Sequence, residues 1–204
     1  MTISFPLTMP TVPGPVSLEW LMDTRIARAE STFTGLVQKQ KHAAQKWYVN
    51  ITLPPMSGAN AAEWIGFLLS LNGPEGTFLL GDNLAKTPRG GAGGAPKING
   101  ASQVGGALIT DGWDASQTGI LKAGDFIQLG TRLHRIKKDA DSDGSGNATL
   151  DIWPDIRSPS PADDDTIITQ GCKGIFELVE NFTALYKWDA SKVYDIAFQA
   201  VEAL

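Results

Sequence analysis

Residues 46–82 read KWYVNITLPPMSGANAAEWIGFLLSLNGPEGTFLLGD. Within Gln45–Leu53, Trp47, Val49, Ile51 and Leu53 share one parity while Lys46, Tyr48, Asn50 and Thr52 share the other, which predicts a half-buried strand. Pro54-Pro55 cannot donate to a ladder and ends it. Ala61, Trp64, Ile65 and Leu68 then recur at i, i+3, i+4 and i+7, so a helix with one apolar stripe is expected over about residues 59–72. Asn60 with Glu63 three residues on fits a capping box, and Ser57 is a rival cap. Asn72-Gly73-Pro74 supplies a left-handed position and then a residue that cannot continue a helix. Thr77–Leu80 reads as a buried strand.

Upstream, Val16, Leu18 and Trp20 alternate with Ser17 and Glu19, the pattern of another half-buried strand over Val16–Leu21. Pro10, Pro13 and Pro15 make the preceding segment an extended arm. Such an arm can cross a neighbouring subunit, but dangling is the expected state. Downstream, seven of the 19 residues from Pro88 to Gly106 are glycine. This stretch is flexible or held open by backbone contacts, and it marks a boundary. Short strands follow at Ala107–Thr110, Asp125–Leu129, Arg132–Lys137 and Ala148–Trp153, with Gly130-Thr131 as a hairpin turn. Leu133 and Ile136 fall on opposite faces, as expected where a small curved barrel covers both sides. Ser158–Asp165 is a loop. Strands at Ile167–Thr169, Gly174–Val179, Leu185–Trp188 and Tyr194–Val201 close the chain. The expected fold is mainly β: a β-sandwich with one α-helix, built from residues 1–80 and 158–204, interrupted by a small β-barrel-like domain at 81–157.

Composition agrees. Glycine (22) and proline (12) make 34 of 204 residues, a share that suits many turns. A net charge of −5 argues against a nucleic-acid partner, which calls for a basic face. No apolar run is long enough to span a bilayer, so no membrane partner is expected. Met1–Val16 has neither a basic residue nor a leader-length apolar run, which suggests synthesis in the cytoplasm. A single cysteine, Cys172, excludes a disulfide framework and a multi-cysteine metal site.

Chemistry-bearing constellations are few. His42 and His134 lie about 90 residues apart in no recognisable motif. Cys172 in GCKG has no nearby base, so a small packed residue is preferred to a nucleophile. A hydrolase drawing two acids from distant segments is one class of function, with no motif to mark it. Asp139, Asp141 and Asp143 followed by Gly144 match the first half of a calcium loop, but position 12 is Leu150 where a bidentate Glu is needed. A turn satisfied by its own Asp, Ser and Gly residues explains the segment without a metal. Trp47 and Trp64 belong to apolar faces and read as core. Tyr48, on the opposite face, and Trp113, in a glycine-rich segment, are candidate exposed aromatics for contacting a partner or stacking on a sugar. No cofactor is expected.

Residues 46–82 resemble the strand–PPM–helix–GxxGTFLLGD segment of distal tail proteins of long-tailed, non-contractile phages. The stretch 110–157 also resembles a module of such tail proteins, in DGW, LKAGDFIQLG, LHRI, DGSGNATL and WPDIR. Gly174, Phe176, Leu178 and Asn181 with the final YDIAFQAVEAL fit the family's closing strands. Together these cover roughly two-thirds of the chain. The resemblance implies a virion structural protein at the phage tail tip or baseplate. It implies a belt domain that is a β-sandwich with a helix, assembled into a homo-oligomeric ring, usually a hexamer, between the tail tube protein and the tail hub protein. It supplies no catalytic residues. The family's extra module here is the 81–157 insertion rather than a C-terminal galectin-like domain. A second reading, from another class, is a carbohydrate- or receptor-binding module using Trp113 and the Asp139–Gly144 turn on a host surface glycan.

Overall fold

Among the described residues there are fifteen strands and one α-helix. In chain order these are β1 (Leu7–Thr8), β2 (Ser17–Asp23), β3 (Ile26–Glu30), β4 (Val37–Lys41), β5 (Lys46–Thr52), α1 (Gly58–Leu71) and β6 (Thr77–Leu80). After them come β7 (Gly94–Ile98), β8 (Gly105–Trp113), β9 (Phe126–Leu129), β10 (Arg132–Ile136), β11 (Ala148–Ile156) and β12 (Ile167–Ile168). The last three are β13 (Gly174–Leu178), β14 (Leu185–Trp188) and β15 (Tyr194–Glu202). They come from a computed structural model that describes residues 3–42, 44–179, 185–188 and 193–204. Asn181, one of the residues carrying the family resemblance, lies outside the described residues. The fold is mainly β with a single helix, as the alternation of the sequence predicted.

The chain divides into two units, both discontinuous. The first comprises residues 1–21, 47–86 and 171–204, the second 22–46 and 87–170. These limits differ from the expected 1–80 plus 158–204 and 81–157. Contacts distant in sequence account for two of the differences. Residues 163–168 belong to the second unit because β12 pairs with β9 there. Residues 22–46 join it because Lys41 pairs with Asp155, and the side-chain oxygen of Gln45 accepts the Asp155 N–H at 2.7 Å.

In the first unit, one seven-stranded sheet has the order β1-β6-β13-β15-β5-β2, with β14 also on β15. Trp47, Val49 and Ile51 of β5 are buried and alternate with half-buried neighbours, as the sequence parity requires. The helix contributes Ala61, Trp64, Phe67, Leu68 and Leu71 to the interior. Phe67 and Leu71 widen the predicted stripe, while Ile65 is only half-buried. Ser57, not Asn60, is the N-cap residue, and no side-chain bond caps the helix. Asn72 adopts φ 50° and ψ 48°, the left-handed stop expected before Pro74.

The interior is aromatic. Trp64 stacks edge-on against Phe67 and lies 6.2 Å from Phe198, while Phe78 lies 6.5 Å from Phe176. Trp20 of β2 meets Trp47 at 5.5 Å and Phe176 at 5.9 Å between ring centroids. Three strand steps separate β2 from β13, about 14 Å across a flat sheet. The Trp20–Phe176 contact therefore shows a sheet curled on itself, which gives the unit its sandwich-like core. The N-terminal arm does not dangle. Leu7 and Thr8 pair in parallel with Phe78 and Leu79, and the Pro13 carbonyl accepts the Trp64 indole N–H at 3.2 Å.

The second unit holds the two-stranded β3–β4 ribbon and a small barrel-like sheet of order β12-β9-β10-β11-β8-β7. Its ends meet: Lys97 bridges Thr166, Ile98 N–H donates to the Asp165 carbonyl at 3.0 Å, and Asp164 N–H donates to the Ile98 carbonyl at 2.9 Å. Near-closure explains the irregular parity of β10, because Leu133, His134 and Ile136 are all buried. Leu108, Ile127, Leu150 and Ile152 fill the centre. The glycine-rich stretch is held by backbone contacts and contains β7. At Gly112 (φ 74°) an added Cβ would overlap the Ala95 carbonyl, and at Gly94 (φ 90°) the Gly112 carbonyl. This close approach is what the two glycines permit.

Candidate interaction surface

The aromatics proposed for partner contact separate. Trp113 is a correction to the sequence reading, since it ends β8 and is only 5% exposed. Its indole N–H donates to Thr110 Oγ1 at 2.8 Å, and that hydroxyl donates to the Ala148 carbonyl at 2.8 Å. Trp113 is thus a barrel core residue and presents no stacking face. Tyr48 lies half-buried on the face of β5 opposite Trp47, paired with Val201.

The three aspartates of the calcium-like segment do not converge. Asp139 Oδ1 accepts the Ala123 N–H at 2.8 Å, and its Oδ2 accepts from Lys122 Nζ at 3.0 Å. Asp141 Oδ1 accepts the Gly119 N–H at 2.6 Å. Asp143 Oδ1 accepts the Ser145 and Asn147 N–H groups at 2.8 and 2.9 Å, and its Oδ2 accepts Asn147 Nδ2 at 3.0 Å. The Ala123 amide and Lys122 hold the Asp139 carboxyl below the ordinary range, and the Asn147 donors do so for Asp143. Leu150, at the position of the twelfth ligand, is fully buried in the barrel. No cluster of three or more His, Cys, Asp or Glu groups placed to hold a metal occurs among the described residues.

Asp125 is a buried carboxylate with four hydrogen bonds. Oδ1 accepts the Arg89 N–H at 3.0 Å, while Oδ2 accepts Gly90 N–H at 3.1 Å and Lys122 N–H at 2.8 Å. Burial alone would raise its pKa, but the Lys122, Arg89 and Gly90 donors outweigh it and hold the group below the usual carboxylate value. His134 is 1% exposed, with Nδ1 2.7 Å from the Pro154 carbonyl. Desolvation lowers its pKa from 6.5 to about 4 against the opposing pull of that carbonyl, so the ring is neutral at physiological pH. His42 is exposed, and its backbone N–H donates to the Arg25 carbonyl at 3.0 Å. Cys172 is buried in the turn before β13, with its carbonyl where a Cβ on Gly81 would sit.

Two surface features remain. One is an apolar groove of about 410 Å³ on the first unit, lined by Val16, Leu53, Pro54, Pro55 and Ile196. The other, which sequence reasoning did not detect, is the β3–β4 ribbon. Ile26 pairs with Lys41, Arg28 with Lys39 and Glu30 with Val37 on one face, and Ala27 with Gln40 and Ala29 with Gln38 on the other. All ten strand residues are exposed. The tip turns through Gly35 at φ 66°, with Ser31 N–H donating to the Leu36 carbonyl at 2.9 Å. The signal that could have revealed it is the pair of five-residue alternating runs around Ser31–Gly35. Their one apolar parity, Ala27 with Ala29, carries only methyl groups, so a burial-based reading passes over them. No helix of the described residues is long and apolar enough to cross a membrane. No family model matches the chain, and no curated protein matches it.

Proposed function

We propose that this chain is a virion structural protein that assembles with copies of itself into a ring at the distal end of a phage tail. Its partners in this reading are the tail tube and the central hub, and a hexamer is the ring order the family resemblance suggests. The chain is made in the host cytoplasm and acts in the virion. No catalytic step, metal or cofactor enters this role.

The observation that carries the reading is the structure of residues 46–82, which bear the family-like motifs. They form β5, α1 and β6 and supply Trp47, Trp64, Phe67 and Phe78 to the core of the first unit. Met56 of the PPM motif is buried and exchanges backbone bonds with Tyr194 at 3.0 and 2.9 Å. A Cβ on Gly76, the second glycine of GxxGTFLLGD, would lie 2.7 Å from the Leu71 carbonyl oxygen. The motif residues thus serve packing, as expected of a scaffold subunit. Light scattering of the purified protein with negative-stain imaging tests the proposal. Rings are the expected result. A monomer at every concentration, including with the neighbouring tail proteins present, would count decisively against it.

The carbohydrate- or receptor-binding reading loses its principal aromatic through the burial of Trp113.

A further inference from the structure

We propose that the β3–β4 ribbon is the arm by which one copy of this chain docks on the acidic surface of a second copy. The inference rests on the ring reading for the identity of its occupant and adds the element that makes the contact.

Three observations carry it. A two-stranded ribbon without a covering layer is marginal in water. Here ten strand residues are exposed on both faces, so a partner surface is what would stabilise the ribbon. Its tip also holds two of the most exposed apolar side chains among the described residues, Phe33 at 97% and Leu36 at 71%. Neither touches a core, and such residues at the end of a projecting element form a natural anchor.

The third observation is charge. Residues 22–42 contain Arg25, Arg28, Lys39 and Lys41 against Asp23 and Glu30, a net of 4 − 2 = +2. The remaining chain has 13 Lys and Arg against 20 Asp and Glu, a net of −7, which restores the total of −5. The ribbon is therefore opposite in sign to the rest of its own molecule, the arrangement that steers it onto another copy. Arg28 and Lys39 face each other directly across the strands, a like-charge pair that costs stability. Glu30 reaches Arg28 at 3.1 Å, Asp23 reaches Arg25 at 3.2 Å and Asp155 pairs with Lys41, so Lys39 is the cation that an incoming carboxylate would engage. A nucleic acid fits less well, because the net negative chain repels a polyanion and the tip is apolar.

The test uses the full chain and two double variants, Phe33→Ser with Leu36→Ser and Arg28→Glu with Lys39→Glu. Circular dichroism and thermal unfolding check that each folds. Light scattering across a concentration series reads assembly. The expected result is an assembling parent and variants whose midpoint concentration rises at least about tenfold, the effect of losing one modest hot spot. A photo-crosslinking residue at position 33 should give a copy-to-copy product. Variants that assemble like the parent, with no such product, would overturn the arm and leave the ring reading standing. A parent that stays monomeric overturns the ring reading and the occupant together. A ribbon-dependent shift of duplex DNA would reassign the ribbon and overturn the proposal. If the charge variant fails to fold, the tip variant decides, since its side chains lie in solvent.

Discussion

Asp125 grips Arg89 at two points: its Oδ1 accepts the backbone N–H at 3.0 Å and the guanidinium Nε at 3.4 Å. The same carboxylate takes the Gly90 and Lys122 amides, so one side chain ties the glycine-rich entry of the barrel to the turn before β9. Replacing it leaves several amides unsatisfied in a buried setting. Asp125→Ala should destabilise the second unit by about 3 kcal/mol, read from denaturant midpoints. The folded carboxyl titrates below its unfolded value. Its contribution is thus present at neutral pH and lost as pH falls through the depressed folded value. A cost below about 0.5 kcal/mol would refute the tie, being no more than an ordinary surface substitution.

His134 predicts acid sensitivity at higher pH. Its folded value is about 4 against 6.5 unfolded, so between these values the unfolded chain takes a proton that the native ring refuses. Stability should therefore decline as pH drops from 6.5 towards 4, by about 3 kcal/mol in total. His134→Asn keeps a donor near the Pro154 carbonyl and removes the titration. Its unfolding free energy should be lower than the parent's at pH 7 and fall less steeply on acidification. An identical pH slope in both proteins would contradict the assignment.

Trp64 ties the first core to the N-terminal arm, being fully buried and donating its indole N–H to the Pro13 carbonyl. Trp64→Ala should cost about 3–5 kcal/mol. Trp64→Phe retains most of the apolar area and loses the indole donor. Hydrogen exchange in Trp64→Phe should then rise at Leu7 and Thr8, with β5 little changed. Uniform protection in the arm would show that the Trp64–Pro13 bond does not hold it.

Calcium should do little. Asp139, Asp141 and Asp143 each serve a different backbone segment, and a native-state ligand would raise stability with its concentration. Thermal unfolding in millimolar calcium and in a chelator should coincide. A concentration-dependent rise in midpoint would reopen the metal reading.

How much was legible follows the physics of the signal. Strand β5, helix α1 with its Asn72 stop, and the alternating β15 were readable because period and capping are local and each has one buried face. Leu133 and Ile136 hinted at a covered barrel through their conflicting parity, and near-closure by Ile98 and Asp165 confirms the cause. The candidate contact residues fared less well. Trp113 sits among glycines and polar residues, so nothing adjacent marks it as core. Its burial is set by β8 running on to position 113 and by Thr110 turning a hydroxyl to its indole.

Local periodicity was thus sufficient for the β class, the one helix and most strand positions, since a side chain's parity depends only on its own backbone. Partners distant in sequence were decided by the folded chain: Leu7 beside Phe78, Ile167 beside Leu129, Lys41 beside Asp155. Those pairings place the unit boundaries, retain the arm and leave the β3–β4 ribbon in solvent. Closing such long loops is favourable only when many contacts form together, and no short window of sequence contains that sum.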